Sequence, residues 1–347
     1  MDEERAHNLV INALKVAQNI PWVLDQIQNR FGIDLSPDPV VLCGIKFPNR
    51  IGLAAGFDKN AKVVLALEAM GFGSVEVGTV LPEWQQGNPR PRVFRFDDDH
   101  VIINRMGFNS AGALRVRAHL EKYRSRVKIP IGISVSKMRD TPPEKAGDDC
   151  AAALTLLYDL GDYFVINASS PNTVGLRLLQ NPRQLEQLTR GVVDTATRLA
   201  KVAALGTKPV FVKIDPDFED AQLPDVLSAI KNGGASGVIA TNTTTRMPPR
   251  IRDQHESLHG AGGGLSGDPL FPKALHRVEH IRKIDPTIPL IGVGGVRNER
   301  SVVAMREAGA DIIQIYTGFI YEGPWLVRAL REYLYGIRNT QLVSASG

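Results

Sequence analysis

Apolar residues along the chain gather into short runs, and amphipathic stretches separate them. The runs are Ile51–Phe57, Ser74–Thr79, Pro130–Val135, Tyr163–Asn167, Pro209–Ile214, Gly237–Asn242, Pro289–Gly295 and Asp311–Thr317. A run that is apolar at consecutive positions suits a strand buried on both faces, as in a parallel sheet. The intervening segments carry helical spacing: AKVVLALEAM from Ala61, PRQLEQLTRGVVDTATRLAKV from Pro182, LPDVLSAIKN from Leu223 and SVVAMREAG from Ser301. Several of them end at glycine, a common helix stop. Eight strand-then-helix units predict the α/β class and a (β/α)8 TIM barrel. A doubly wound sheet would carry G-x-G-x-x-G after its first strand, and that spacing is absent here. Two segments fall outside the repeat. Residues 1–35 read as two amphipathic helices, one with Leu9, Val10, Leu14 and Ala17 and the other with Trp22, Val23, Ile27 and Phe31. They form an appendage to a barrel of residues 36–347. Leu81–Ser110 is a long insertion after the second run, of a length that is usually functional.

Composition narrows the classes. With 43% hydrophobic and 22% charged residues, the chain can build a full core. The net charge of +4 is mild, and no Lys/Arg stripe is interleaved with aromatics, so a nucleic-acid partner is not expected. The two cysteines, Cys43 and Cys150, have no metal or disulfide spacing and fit a reducing compartment. No run of eighteen apolar residues occurs, and MDEERAHNLV lacks the apolar core of a signal peptide. A mitochondrial presequence is not seen either.

A barrel places its chemistry at the C-terminal ends of its strands. Here those ends read Lys59, Thr79, Ser134, Asn167 with Ser170, Lys213, Asn242, Gly294-Gly295 and Tyr316-Thr317. Glycine clusters at Gly292–Gly295, Gly318 and Gly264–Gly267 allow backbone N–H groups to approach a phosphate. Lys59 and Lys213 could form a Schiff base, as in an aldolase, or neutralise an anion. Asn104, Asn109, Asn167, Asn172 and Asn242 offer both donors and acceptors, a pattern matched by a pyrimidine or flavin edge. No carboxylate–histidine grouping for a metal is expected at this mouth.

Ten blocks then occur in order: GLAAGFDKN, GFGSVEVGTV, GNPRPRVFRF, INRMGFNS, NASSPNTVGLR, VKIDPD, GVIATNTT, GGLSG, IGVGG and QIYTGF. With them the chain resembles the dihydroorotate dehydrogenase family, in its quinone-dependent, membrane-associated class 2. The resemblance implies an FMN barrel that oxidises (S)-dihydroorotate to orotate in pyrimidine biosynthesis. A base takes the C5 proton, the C6 hydride goes to the flavin, and a quinone receives the electrons. By this resemblance the base is Ser170, the second serine of SSPN, where class 1 relatives use a cysteine. Dihydroorotate contacts are implied for Lys59, Asn104, Arg105, Met106, Gly107, Phe108, Asn109, Asn167, Asn172, Asn242 and Thr243. FMN contacts are implied for Ala55, Gly56, Thr79, Lys213, Thr241, Ser266, Gly267, Gly295, Tyr316 and Thr317. The two N-terminal helices would meet the membrane and line a quinone tunnel with His7, Arg95 and Tyr316. A monomer bound peripherally to the cytoplasmic face of a bacterial inner membrane is the implied state.

The third strand departs from the family's G-x-N-x-G-K: it reads Gly132-Ile133-Ser134-Val135-Ser136-Lys137. Ser134 stands where an asparagine is expected beside the flavin, and Ser136 adds bulk where a glycine is usual. Asp215 replaces a small residue and is expected to dampen the charge of Lys213. The segment 245–263 receives no assignment. These departures leave two other readings: a flavin barrel with a changed substrate, or a non-catalytic flavin-binding barrel.

Overall fold

The chain begins with two helices, α1 (Glu3–Ala17) and α2 (Pro21–Phe31), in a computed structural model that describes residues 2–32, 39–173 and 175–345, with side chains as far as 336. Asp2 starts α1 by accepting hydrogen bonds from Glu4 N (2.8 Å) and Arg5 N (3.3 Å), which satisfies two of the free N–H groups of the first turn. Pro21 starts α2, where its missing N–H costs nothing. The expected division at 35/36 lies outside the described residues.

An antiparallel pair follows, β1 (Val40–Leu42) and β2 (Ile45–Phe47). Leu42 and Phe47 pack with Tyr163, Phe211 and Ile291 and plug the barrel interior from its N-terminal end. The elements then run β3 (Ile51–Leu53), α3 (Val64–Ala69), β4 (Ser74–Val80), β5 (Val93–Phe96), β6 (Val101–Asn104), α4 (Ala113–Tyr123), β7 (Ile131–Val135) and α5 (Ala146–Leu157). Next come β8 (Tyr163–Asn167), α6 (Pro182–Ala203), β9 (Val210–Ile214), α7 (Leu223–Asn232), β10 (Gly237–Ala240), α8 (Pro249–His259) and β11 (Gly264–Gly267). The chain closes with α9 (Phe271–Ile284), β12 (Leu290–Val293), α10 (Glu299–Glu307), β13 (Ile312–Ile315), α11 (Thr317–Glu322) and α12 (Pro324–Ala345).

Strands β3, β4, β7, β8, β9, β10, β12 and β13 close into one parallel barrel. Every apolar run supplies one of them, so the expected TIM barrel is borne out. Several boundaries differ. The first strand ends at Leu53 and not Phe57, and the helix expected from Ala61 starts at Val64, because Ala61 sits at φ +55°. Tyr316 and Thr317 leave β13 and start α11. The insertion 81–110 holds the β5–β6 hairpin, and β11 joins it with Gly264 opposite Asn104. The segment 245–263 holds α8, started by Pro249.

The appendage is tied down at both ends of α1. Glu4 accepts from Arg90 Nε and Nη2 (3.1 and 3.0 Å) and from Arg92 Nε and Nη2 (2.9 and 2.7 Å). At the other end Gln18 Nε2 donates to Lys62 O (2.6 Å), and Asn19 Nδ2 donates to Tyr123 Oη (3.0 Å). Leu9, Val10, Val16 and Trp22 remain exposed, Trp22 by 69%. Among the described residues, no helix is long and apolar enough to cross a membrane.

Candidate active site

One cavity of about 720 Å³ lies at the C-terminal mouth of the barrel, with α1 along one side. Its polar end is built from amides that hold one another. Asn167, the last residue of β8, donates from Nδ2 to Thr79 Oγ1 (2.9 Å), and its Oδ1 accepts from Asn242 Nδ2 (3.1 Å). Asn242 Nδ2 also donates to Ser169 Oγ (2.9 Å). Asn172 Nδ2 donates to Asn104 O (2.9 Å) and to its Oδ1 (3.2 Å), which joins the loop after β8 to the end of β6. Ser170 lines the cavity beside them, 8% exposed, and its Oγ accepts from Asn172 N (3.3 Å).

Two lysines, Lys213 buried and Lys59 half-buried, face the same space. Lys213, on β9, is 6% exposed, and no described residue accepts a hydrogen bond from it. Burial lowers its pKa, and the carboxylate of Glu76 inside the barrel opposes that shift. Glu76 is itself raised by burial and accepts from Gln314 Nε2 (2.7 Å). Lys59 donates to Gly56 O (2.6 Å), and burial brings it down to about 8. Neither ammonium forms a salt bridge with a described carboxylate, although Glu76 acts on Lys213 and Glu4 and Asp58 act on Lys59, so an anionic ligand at this end gains from each.

The opposite wall suits a phosphate. Gly294 (φ +143°) and Gly295 (φ +68°) adopt conformations that disfavour side chains, and a Cβ on Gly295 would lie 2.7 Å from Gly267 O. Thr317 Oγ1 donates to Ser266 Oγ (2.8 Å), and both residues line the cavity. Tyr316 donates to Gly56 O (3.4 Å), with its phenol pushed up to about 12 by burial.

Beneath α1 the lining turns apolar. His7, Val10 and Leu14 face Phe57, Met70 and Phe319. His7 meets Phe57 edge-on at 5.1 Å, and Phe57 meets Phe319 at 5.2 Å. Burial, then the charge of Lys59, lowers the His7 imidazole to about 4. Arg95 pairs with Asp97 (3.0 Å) and lies over the Tyr321 ring at 4.5 Å.

Of the residues singled out from the sequence, all but two of the ligand contacts line this cavity, as do His7 and Arg95. The exceptions are Arg105 and Gly267. Arg105 turns outward, donating to His259 O (2.5 Å) and Ala261 O (3.1 Å) with its guanidinium over Phe94, and so fastens the end of α8. Gly267 is not among the lining residues, and a side chain on it would strike His100 O. Ser134 stays inside the barrel, 3.1 Å from Thr79 Oγ1, and reaches the cavity only through that threonine. Ser136 donates to Asn167 O (2.7 Å) and steadies the residue that carries the amide network.

Asp215 corrects an expectation. Its Oδ2 lies 2.6 Å from Arg177 Nε, and the charge acting on Lys213 is that of Glu76. Burial raises the Asp215 carboxyl to about 6 despite Arg177. Arg177 also approaches Asp217 at 3.5 Å and donates to Thr245 Oγ1 (3.2 Å). Burial would raise Asp217 too, but Lys273 and Thr244 outweigh it and hold the carboxyl at about 2. The loops after β8, β9 and β10 are thereby knitted together behind Ser170. Sequence reading missed Glu4, Phe57 and Gln314. The 7, 10, 14 spacing on α1 was the available signal for the apolar wall.

Comparison with known proteins agrees with this geometry. The chain matches the family described as Dihydroorotate dehydrogenase over residues 39–337. A dihydroorotate dehydrogenase (quinone) of Acidovorax sp. (strain JS42) is 42% identical over 346 residues, 96% of this chain and 95% of that one. Its counterpart in Chloroflexus aurantiacus (strain ATCC 29366 / DSM 635 / J-10-fl) is 43% identical over 298 residues, 84% of this chain and 80% of that one. A crystal structure of DHODH in complex with ferulenol from Eimeria tenella shares the fold with a TM-score of 0.86 at 33% identity, over 98% of this chain and 92% of that one. The chain belongs to the dihydroorotate dehydrogenase family, in its quinone-dependent class.

Proposed function

We propose that this protein oxidises (S)-dihydroorotate to orotate and passes the electrons to a quinone, with FMN as the carrier. The observation that carries this reading is the joint placement of Ser170, Lys213 and the amide set on one cavity. FMN fits the donor set: the unpartnered Lys213 ammonium suits its pyrimidine end, and the glycines at 294 and 295 with Ser266 and Thr317 suit its phosphate. Ala55, Gly56, Thr79, Thr241 and Tyr316 complete the contacts we assign to it. Bound there, FMN supplies a two-electron acceptor for the C6 hydride and a donor for the quinone.

The chain's own part is positioning and proton removal. Asn104, Asn109, Asn167, Asn172 and Asn242 read the donors and acceptors of the dihydropyrimidine ring, and Lys59 meets its carboxylate. Ser170 Oγ takes the C5 proton. A serine hydroxyl is a weak base, so its own proton must leave along a water path as the C5 proton arrives, and the hydrogen bond from Asn172 N stabilises the alkoxide character this requires. Phe108, at φ +53° on the cavity wall, covers the ring. The quinone enters beside His7, Arg95 and Tyr316. The protein acts as a monomer whose N-terminal helices rest on the cytoplasmic face of a bacterial inner membrane, with Leu9, Val16 and Trp22 toward the lipid. Residues 1–35 serve this contact, and 36–347 serve catalysis.

The test is anaerobic addition of dihydroorotate to the purified yellow protein. The visible flavin band should bleach and return on addition of a soluble quinone. A flavin that stays oxidised refutes the substrate, and a colourless protein that takes up no FMN refutes the cofactor.

A further inference from the structure

Three residues outside the cavity form a grouping that the dihydroorotate reaction leaves without a task. His276 and His280 stand one turn apart on α9, which puts both rings on one face. Asp220, in the short 3₁₀ turn Asp220–Gln222 after β9, meets them both. His276 Nε2 lies 2.8 Å from Asp220 Oδ2, and His280 Nδ1 lies 3.6 Å from Asp220 Oδ1. One ligand atom from each residue falls within 4.8 Å of the others. His280 Nδ1 is shut away from water and has no hydrogen-bond partner among the described residues.

We propose that Asp220, His276 and His280 bind one divalent transition-metal ion of the zinc type. Two imidazole nitrogens with one carboxylate oxygen suit zinc, nickel or copper far better than magnesium or calcium. Bonds of about 2 Å in a tetrahedral site put neighbouring donors roughly 3.3 Å apart. The observed spread therefore closes with small side-chain rotations. The carboxylate is already oriented: Arg277, itself buried, donates from Nη1 to Asp220 Oδ1 (3.2 Å) and from Nη2 to Phe218 O (2.6 Å). A hydrogen-bonded partner behind a ligating carboxylate is the usual arrangement of a metal site. The positive charge of Arg277 tempers the affinity. Asp220 and His276 are about half exposed, which leaves the fourth position to water. Such an ion staples the segment following Lys213 to α9. Lys273 on α9 already donates to Asp217 in that segment (2.8 Å).

Zinc chloride titrated calorimetrically into the flavin-loaded enzyme should bind at one equivalent per chain, and zinc should raise the thermal midpoint by linkage. Magnesium chloride should give neither effect. His276→Ala and His280→Ala should each abolish both zinc effects, and Asp220→Asn should weaken them. His276→Gln, at a half-exposed site, provides a second variant with little risk to folding. His276→Ala should turn over dihydroorotate at the parent's rate without zinc. Absence of saturable one-equivalent binding overturns the proposal, as does zinc binding that survives the histidine substitutions.

Discussion

The two ends of the cavity are built from different materials. Around Asn167 the side chains are fixed by a chain of hydrogen bonds running from Ser134 through Thr79, Asn167 and Asn242 to Ser169. Beneath α1 the walls are Leu14, Phe57, Met70 and Phe319, and order there comes from ring packing and from one carboxylate, Glu4, gripping two arginines. On the proposed function, the contrast teaches how one pocket would serve two chemically unlike guests. A small polar ring needs donors held at fixed positions, because every unmatched amide costs free energy. A greasy acceptor needs only shape and exclusion of water.

If the polar end does the chemistry, Ser170→Ala should have the largest effect, slowing flavin reduction by about 10²–10⁴-fold while leaving FMN bound. Rapid-mixing absorbance measures both. An unchanged rate would move the base elsewhere.

Acid should separate the ends through stability. His7 titrates near 4 when folded and near 6.5 in its ordinary state. As pH falls through that window the unfolded chain binds a proton that the folded chain refuses, so stability is lost on the acid side and is complete above 6.5. The loss is up to about 2–3 kcal/mol, part of it screened by water at the cavity. His7→Phe should flatten the slope of urea midpoint against pH between 4 and 6.5. Persistence of the slope would assign it to other groups.

Glu4→Gln should strike the apolar end more than the polar one. It loosens the start of α1 and should raise the quinone KM about tenfold, equivalent to ~1.4 kcal/mol. Flavin reduction by dihydroorotate should change less, since Glu4 reaches that end only through its charge on Lys59, and an equal fall in that half-reaction would dissolve the distinction between the ends. Ser134→Asn should be the mildest change. It shifts FMN affinity by no more than the worth of one hydrogen bond, about 1 kcal/mol, as flavin fluorescence titration would show.

Much of this was legible in the sequence, for a physical reason. Barrel strands are buried on both faces, so their apolar runs stand out, and their C-terminal ends collect the polar residues that chemistry needs. Three-residue strands such as β1 and β2 carry too little pattern to be seen. Helix α8 hid because its mean hydropathy is low, although Pro249 marked its start. Asp215 misled because sequence shows the neighbour two places away, Lys213, and not Arg177, which reaches it from the preceding loop. Arg105 and Gly267 lie in site-forming segments but do not line the cavity, a difference of side-chain direction and backbone placement that sequence does not display.

Helix α1 is supported at both ends, by Glu4 at its start and by Gln18 and Asn19 just past its finish. Its fifteen residues span about 22 Å. A rod fixed at two points transmits orientation as well as force. Whatever surface takes hold of its outward apolar row therefore sets the bearing of the whole barrel, and with it the direction in which the cavity looks.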